Sequence, residues 1–203
     1  MTAPRATLDA YWTPRSAALR CTRWLAAQGY RPGSIVEPSV GGGAWVYAAR
    51  EVWPGATIDR VDVDNHAPGL RLEWVAGDDM HVGDWMQAFH PDDSWDLSLG
   101  NPPYGEVEAH VGACLRRTRV TALLLRETIT GGQARYESLW SQHRPAWVAK
   151  LPDRPQWEGG NPHASGDTTG SVLIVWDRDL HGPTRWDWIP VGEEQGRMFG
   201  GGV

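Results

Sequence analysis

Four consecutive residues, Asn101-Pro102-Pro103-Tyr104, bring together groups suited to one kind of chemistry. A residue before proline is driven to extended backbone, so Asn101 projects forward from the strand that precedes it. Pro102 and Pro103 fix φ and carry no N–H, which stiffens the turn. The segment therefore displays the Asn101 amide oxygen, the Pro102 carbonyl and the flat face of Tyr104. That set suits an NH2 group attached to a planar π-system, whose lone pair is delocalised and poorly nucleophilic. Two acceptors holding its hydrogens pull the nitrogen toward tetrahedral geometry and localise the pair, while Tyr104 stacks on the ring. No strong base is needed where alignment and hydrogen bonds that strengthen in the transition state supply the rate. A proline-rich turn capped by Asn is the plain alternative.

Upstream, Glu37-Pro38-Ser39-Val40-Gly41-Gly42-Gly43 turns from a strand into a helix. Glycines there let backbone approach a ligand closely, and the N–H groups at the helix start favour a negative group. Asp62 lies 21 residues after Gly41, at the end of the second strand, where a carboxylate can accept both hydroxyls of a ribose. Asp78, with Asp79 beside it, follows the candidate third strand Glu73–Ala76, where an acceptor can read the amine of an adenine. Val46 occupies the last glycine place of a GxGxxG fingerprint, which favours one adenosine-bearing ligand over a dinucleotide. A surface turn and loop acids are the alternative reading of each feature alone; in series they make a nucleoside pocket.

These residues need elements to hold them. Pro14 opens a helix whose apolar positions recur up to Gly29, which stops it. Ser34–Glu37, Thr57–Val63, Glu73–Ala76, Asp96–Leu99 and Val120–Leu125 read as strands. Helical patterns cover about Ala44–Val52, the Trp85–Phe89 region, Glu106–Arg116 and Gln133–His143. Ala146–Ala149 and Val172–Trp176 form a closing pair of strands across the long loop 152–170. Strands alternating with helices imply a mostly parallel sheet covered on both faces, with an antiparallel hairpin at one edge. Every chemical segment falls at the carboxyl end of a strand, where open α/β sheets bind ligands.

Of 203 residues, 41% are apolar and 22% charged, ordinary for a globular chain. No run approaches the ~20 apolar residues of a membrane helix, and no secretory signal is visible, so a cytoplasmic protein is expected. Cys21 and Cys114 form no CxxC pair, which excludes a disulfide scaffold or a cysteine zinc site. His110 and Cys114 have i,i+4 spacing, but two ligands do not make a metal site. The net charge is −6, unevenly spread: residues 111–155 hold eight basic and three acidic side chains, whereas 37–110 hold three and fourteen. A polyanion would approach the 111–155 face, where Arg126, Arg135, Lys150 and Arg154 are candidate phosphate contacts. Thirteen tryptophans include candidates for stacking surfaces as well as core.

The run Trp12-Thr13-Pro14, Glu37-Pro38-Ser39 with Gly41 and Gly43, Asp62, Asp78 and Asn101–Tyr104 resembles the S-adenosylmethionine-dependent methyltransferases with an Asn-Pro-Pro-Tyr motif. It resembles most closely the DNA adenine-N6 methyltransferases whose Thr-Pro element comes first. The resemblance spans about residues 11–176. It implies a Rossmann-like class I fold with a mostly parallel seven-stranded sheet. It implies that Trp12, Thr13, Pro14, Glu37, Pro38, Gly41 and Gly43 hold the methionine part of the cofactor, with Asn101 bordering it. Asp62 would take the ribose and Asp78 or Asp79 the adenine amine. Asn101, Pro102, Pro103 and Tyr104 would grip the target, with Trp157 as the second wall and Arg154 near phosphate. Trp45 stands where the family more often has a small or aliphatic residue.

A base in a duplex cannot reach such a pocket, so the target must be flipped out or single-stranded. The expected division is a methyltransferase domain over 1–177 and a short tail over 178–203, whose tryptophans pack on the domain. That tail is too short for a separate target-recognition domain, so either specificity is low, the recognised site is short, or a partner subunit or second copy reads the sequence. A bacterial or phage restriction-modification setting is implied by analogy. Three alternatives stay open: methylation of a glutamine amide in a translation factor, methylation of an RNA base, and a cofactor-binding partner subunit without activity of its own.

Overall fold

The computed structural model describes residues 12–62, 80–155 and 169–191. Its first helix, α1 (Arg15–Ala27), starts one residue after Pro14, whose carbonyl accepts the N–H groups of Ala17 and Ala18. Gly29 ends it at φ 96, a left-handed conformation that favours glycine. The strands and helices then alternate: β1 (Ser34–Glu37), α2 (Ala44–Val52), β2 (Thr57–Asp62), β3 (Met80–Val82), α3 (Trp85–Ala88), β4 (Trp95–Gly100), α4 (Val107–Arg117) and β5 (Thr118–Arg126). A short α turn, α5 (Gln133–Arg135), runs into a π turn (Tyr136–Trp140). The last strands are β6 (Trp147–Lys150), β7 (Ser171–Asp177) and β8 (Arg185–Trp188).

The eight strands among the described residues form one sheet in the order β3-β2-β1-β4-β5-β7-β6-β8. Strands β1 to β5 pair in parallel, β7 runs antiparallel between β5 and β6, and β8 adds in parallel to β6. The closing pair is therefore antiparallel as expected, but its second strand is inserted into the sheet. The edge belongs to an eighth strand drawn from the expected tail.

The sheet separates two apolar layers, as its period-2 alternation requires. Ile35, Leu97, Leu99, Ala122, Leu124, Leu173 and Val175 face α1 and α2 together with Trp24, Leu25, Trp45 and Trp53. Val36, Leu123, Leu125, Val172, Ile174 and Trp176 face α4 and the π turn with Trp85, Trp95, Val111 and Leu139. Strand β5 is buried on both sides from Val120 to Leu125, the pattern of a central strand. Most described tryptophans are thus core. Trp186 and Trp188 of β8 are not: they are 69% and 58% exposed, against the expectation that the tail tryptophans pack. Among the described residues no helix is long and apolar enough to cross a membrane.

Candidate active site

The carboxyl ends of β1, β2 and β4 converge on one cleft. After β1 the chain makes a tight loop in which Gly41 (φ 52) and Gly43 (φ 86) adopt conformations L side chains avoid. Three contacts hold this loop: Val40 N–H to the Val61 carbonyl (3.2 Å), Gly43 N–H to the Val40 carbonyl (2.8 Å), and Gly41 N–H to Asp62 Oδ2 (2.7 Å). A Cβ at Gly41 would lie 2.8 Å from Trp12 Cδ1, so Trp12 rests directly on the loop. Next to it Thr13 is buried, and its Oγ1 accepts the Trp45 indole N–H at 3.1 Å. Trp12, Thr13, Ser39, Gly41, Gly42, Trp45 and Asn101 line the cleft. The structure thus brings the Thr-Pro element, the glycine loop and the Asn-Pro-Pro-Tyr segment to one place. It also gives Trp45 a role, anchoring Thr13, that its neighbours in sequence do not reveal.

Beneath Ser39, Glu37 is 1% exposed. Its Oε1 accepts the Ser39 N–H at 3.1 Å, and its Oε2 is buried without a hydrogen-bond partner. Burial raises its pKa well above the usual carboxylate range, the Ser39 N–H opposes the rise, and the Asp62 charge adds to it. Gly100, the residue before Asn101, is pressed on this carboxyl: a Cβ there would lie 2.5 Å from Glu37 Oε1. Glycine is required at 100 by that approach, and the sequence carried the signal only as a glycine before the motif.

Asn101 is half-buried, Pro102 buried and Pro103 exposed, and Tyr104 opens a 3-10 turn. The Arg126 guanidinium, at the carboxyl end of β5, lies 4.1 Å from the centroid of the Tyr104 ring. One face of the ring is thereby backed by a cation.

Asp78, Asp79 and Trp157, with the candidate strand Glu73–Ala76, lie outside the described residues. The strand that pairs with β2 is Met80–Val82, with Val82 opposite Asp62. The acid that follows it is Asp84, and Gly83 N–H donates to the Asp62 carbonyl at 2.9 Å. Asp84 thus stands at the strand end where the sequence placed an adenine reader. Nearby, His110 is buried and its Nε2 lies 3.4 Å from Ser39 Oγ. Burial lowers its pKa to about 4, with the Asp84 charge opposing, so the ring is neutral.

Of the candidate phosphate contacts, Lys150 pairs with Glu127 at 2.6 Å and Arg135 with Glu108 at 3.4 Å. Arg154 is exposed, one residue after Asp153, which receives two 2.8 Å hydrogen bonds from Arg20 of α1. Both bonds come from Arg20 Nη2, and this charge-assisted contact ties the segment after β6 to α1. Cys21 and Cys114 are both buried, and burial pushes each thiol up to about 12.

No family model matches the chain. It is 34% identical over 110 residues to the type II methyltransferase M.XamI of Xanthomonas campestris pv. amaranthicola, a match covering 50% of this chain and 20% of that protein. A putative RNA methyltransferase from Pyrococcus horikoshii superposes with a TM-score of 0.64 at 18% identity, covering 87% of this chain and 90% of that one. A modification subunit of a putative type I restriction enzyme from Vibrio vulnificus superposes at 0.60 with 15% identity, covering 90% and 48%. The chain spans about a fifth of the curated relative and about half of that modification subunit. Sheet order, the inserted antiparallel β7 and helices on both faces, together with these neighbours, give the chain the Rossmann-like fold of the class I methyltransferases.

Proposed function

We propose that the chain binds S-adenosylmethionine in the cleft and transfers its methyl group to the N6 amine of adenine in DNA. The observation that carries this reading is the meeting of Asn101 with Thr13 and the glycine loop in one cleft. The residues fit that cofactor. Gly41 offers backbone where no side chain has room, Asp62 ends β2 against the glycine loop with a carboxylate suited to ribose hydroxyls, and the unpartnered Oε2 of Glu37 suits a cationic group. Asp84 joins Asp78 and Asp79 as a candidate reader of the cofactor's adenine. When bound, the cofactor supplies an electrophilic methyl group on a sulfonium.

The chain's own part is positioning. Asn101 Oδ1 and the Pro102 carbonyl accept the two hydrogens of the target amine and localise its lone pair. Arg126 lies over the Tyr104 ring, and that ring is the group assigned to stacking on the base. Asn101 and Pro102 hold the nitrogen lone pair aimed to form the new N–C bond to the methyl carbon that the bound cofactor would supply, the C–S bonding pair returning to sulfur. The extra proton on nitrogen then leaves to water through the same acceptors, so no buried base is required. The sequence match to a type II methyltransferase is the support for a DNA substrate, and a partner subunit or second copy is proposed for sequence recognition.

The test is methyl transfer from labelled S-adenosylmethionine to unmethylated single- and double-stranded DNA, followed by nucleoside mass spectrometry. Total RNA and a translation-factor extract run in parallel. N6-methyladenine from the DNA arms is expected. Label confined to RNA or protein would overturn the DNA assignment, and no label with cofactor bound would reassign the chain as a non-catalytic subunit.

A further inference from the structure

Strand β8 presents an aromatic face that the cleft does not use. Its parallel register with β6 sets Trp186 beside Val148 and Trp188 beside Lys150. The intervening residues point to the opposite layer, where the Trp24 indole donates to Asp187 at 2.9 Å and Arg185 lies 5.0 Å from the Trp147 ring. That side therefore anchors the strand. The other leaves Trp186 and Trp188 69% and 58% exposed, with Tyr136 of the π turn 60% exposed across a groove. Arg144 and Thr184 also line this groove. Isolated exposed aromatics are ordinary, but Trp186 and Tyr136 line one groove and Trp188 follows on the same face of β8, which together mark a binding surface.

The surface is continuous with the target end of the cleft. Arg126 lies over Tyr104, Glu127 follows it and pairs with Lys150, and Lys150 Nζ lies 5.5 Å from the Trp188 ring. Four strand intervals separate β4, which carries Asn101, from β8. At about 4.8 Å each they span about 19 Å, the length of a few nucleotides of extended strand. The stretch 111–155 that supplies Arg126, Lys150 and Arg144 is also the basic part of an acidic chain. Aromatic planes interleaved with cations are the surface that single-stranded nucleic acid binds, bases stacking and backbone following the charge.

We propose that Trp188 and Trp186 are a stacking platform for bases that flank the target in a single-stranded stretch of nucleic acid, with Lys150 and Arg144 along its backbone. The inference rests on the nucleic-acid reading above and deepens it. It assigns sequence-tolerant gripping of the substrate strand to the sheet edge, away from the reacting base.

The experiment measures binding of fluorescent DNA single strands of about three and about twelve nucleotides to the full chain in the presence of S-adenosylhomocysteine. Wild type and the Trp186→Ala/Trp188→Ala variant are compared. Loss of stacking weakens the longer strand by about tenfold or more. The three-nucleotide strand changes by less than about twofold, and Trp188→Phe restores most of the affinity. Unchanged affinity of the variant for the longer strand would overturn the proposal. So would a wild-type dimer that the double variant converts to a monomer of equal DNA affinity, which would make the patch a self-association surface. Methyl transfer by the wild-type chain is read in the same samples. Transfer to DNA with an insensitive variant removes only the platform, whereas absence of both binding and transfer removes the nucleic-acid reading itself.

Discussion

Asp62 accepts the backbone N–H of Gly41 at 2.7 Å, so the acid that ends β2 also shapes the loop that ends β1. A carboxylate has acceptor capacity beyond one such bond and can still take ribose hydroxyls. Asp62→Asn keeps an acceptor for Gly41 but loses the charge; Asp62→Ala loses both. The alanine variant is expected to lose about 1 kcal/mol of unfolding free energy. Both variants should bind S-adenosylhomocysteine about tenfold more weakly or worse, a change of about 1.4 kcal/mol. Titration calorimetry and urea denaturation separate the two effects. An Asn variant that binds like wild type would remove the ribose role.

Asn101 borders the same cleft as Thr13, and the role proposed for its amide is in the transition state of transfer rather than in cofactor binding. Asn101→Ala should lower methyl transfer by about a hundredfold or more. Its affinity for S-adenosylhomocysteine should stay within about threefold of wild type, a change of under about 0.7 kcal/mol. Single-turnover assays beside calorimetry decide this. Near-normal turnover would refute the mechanism.

Gly100→Ala drives a Cβ to within 2.5 Å of Glu37 Oε1. Because Glu37 is buried and fixed by Ser39, the clash should destabilise the fold by about 1–3 kcal/mol. Removing the carboxyl as well, in Gly100→Ala/Glu37→Ala, should recover part of the loss. The coupling energy expected from a double-mutant cycle is about 1 kcal/mol. Additive single effects would mean that the two residues do not press on each other in solution.

The pH dependence follows from two buried groups. Glu37 has its pKa raised in the fold, so below the ordinary value of 4.5 it is protonated folded and unfolded alike. Its contribution to stability is lost as pH rises through the window above 4.5. His110 titrates the other way, lowered from 6.5 to about 4, and its contribution is lost as pH falls from 6.5 toward 4. Thermal melts of the cofactor-free chain with Glu37→Gln should lack the loss on the alkaline side. Binding a cofactor cation beside Glu37 favours its ionised form, so calorimetry in buffers of different ionisation enthalpy should show proton release. In Glu37→Gln that release should vanish.

Local punctuation made much of the fold legible. Pro14 and Gly29 bracket α1 to within two residues, and the glycine run before Ala44 marks the start of α2. Asn101–Tyr104 announced itself because two prolines restrict the backbone independently of the rest of the chain. Pairings between distant segments were not legible. Arg185-Trp186-Asp187-Trp188 reads as a tail until β6 is available to pair with it. The sequence offers two Gly-Asp pairs after candidate strands, Gly77-Asp78 and Gly83-Asp84; only the second lies within the described residues, following Val82 in register with Asp62. The Trp45–Thr13 bond joins residues 32 apart, each unremarkable alone.

The insertion of β7 has a consequence for how the molecule comes to exist. Strand β5, buried along Val120–Leu125, pairs with β4 on one side and with β7 on the other. During synthesis β5 leaves the ribosome about fifty residues before β7 does. Until then its outer edge is an open row of backbone donors and acceptors on an apolar strand, a template for wrong pairing. β6 cannot close that edge, because its own neighbours are β7 and β8. The nascent chain therefore carries its full set of cleft residues while still lacking the strand that seals the sheet behind them. Rapid delivery of residues 171–177 would shorten the time for which that edge stays open.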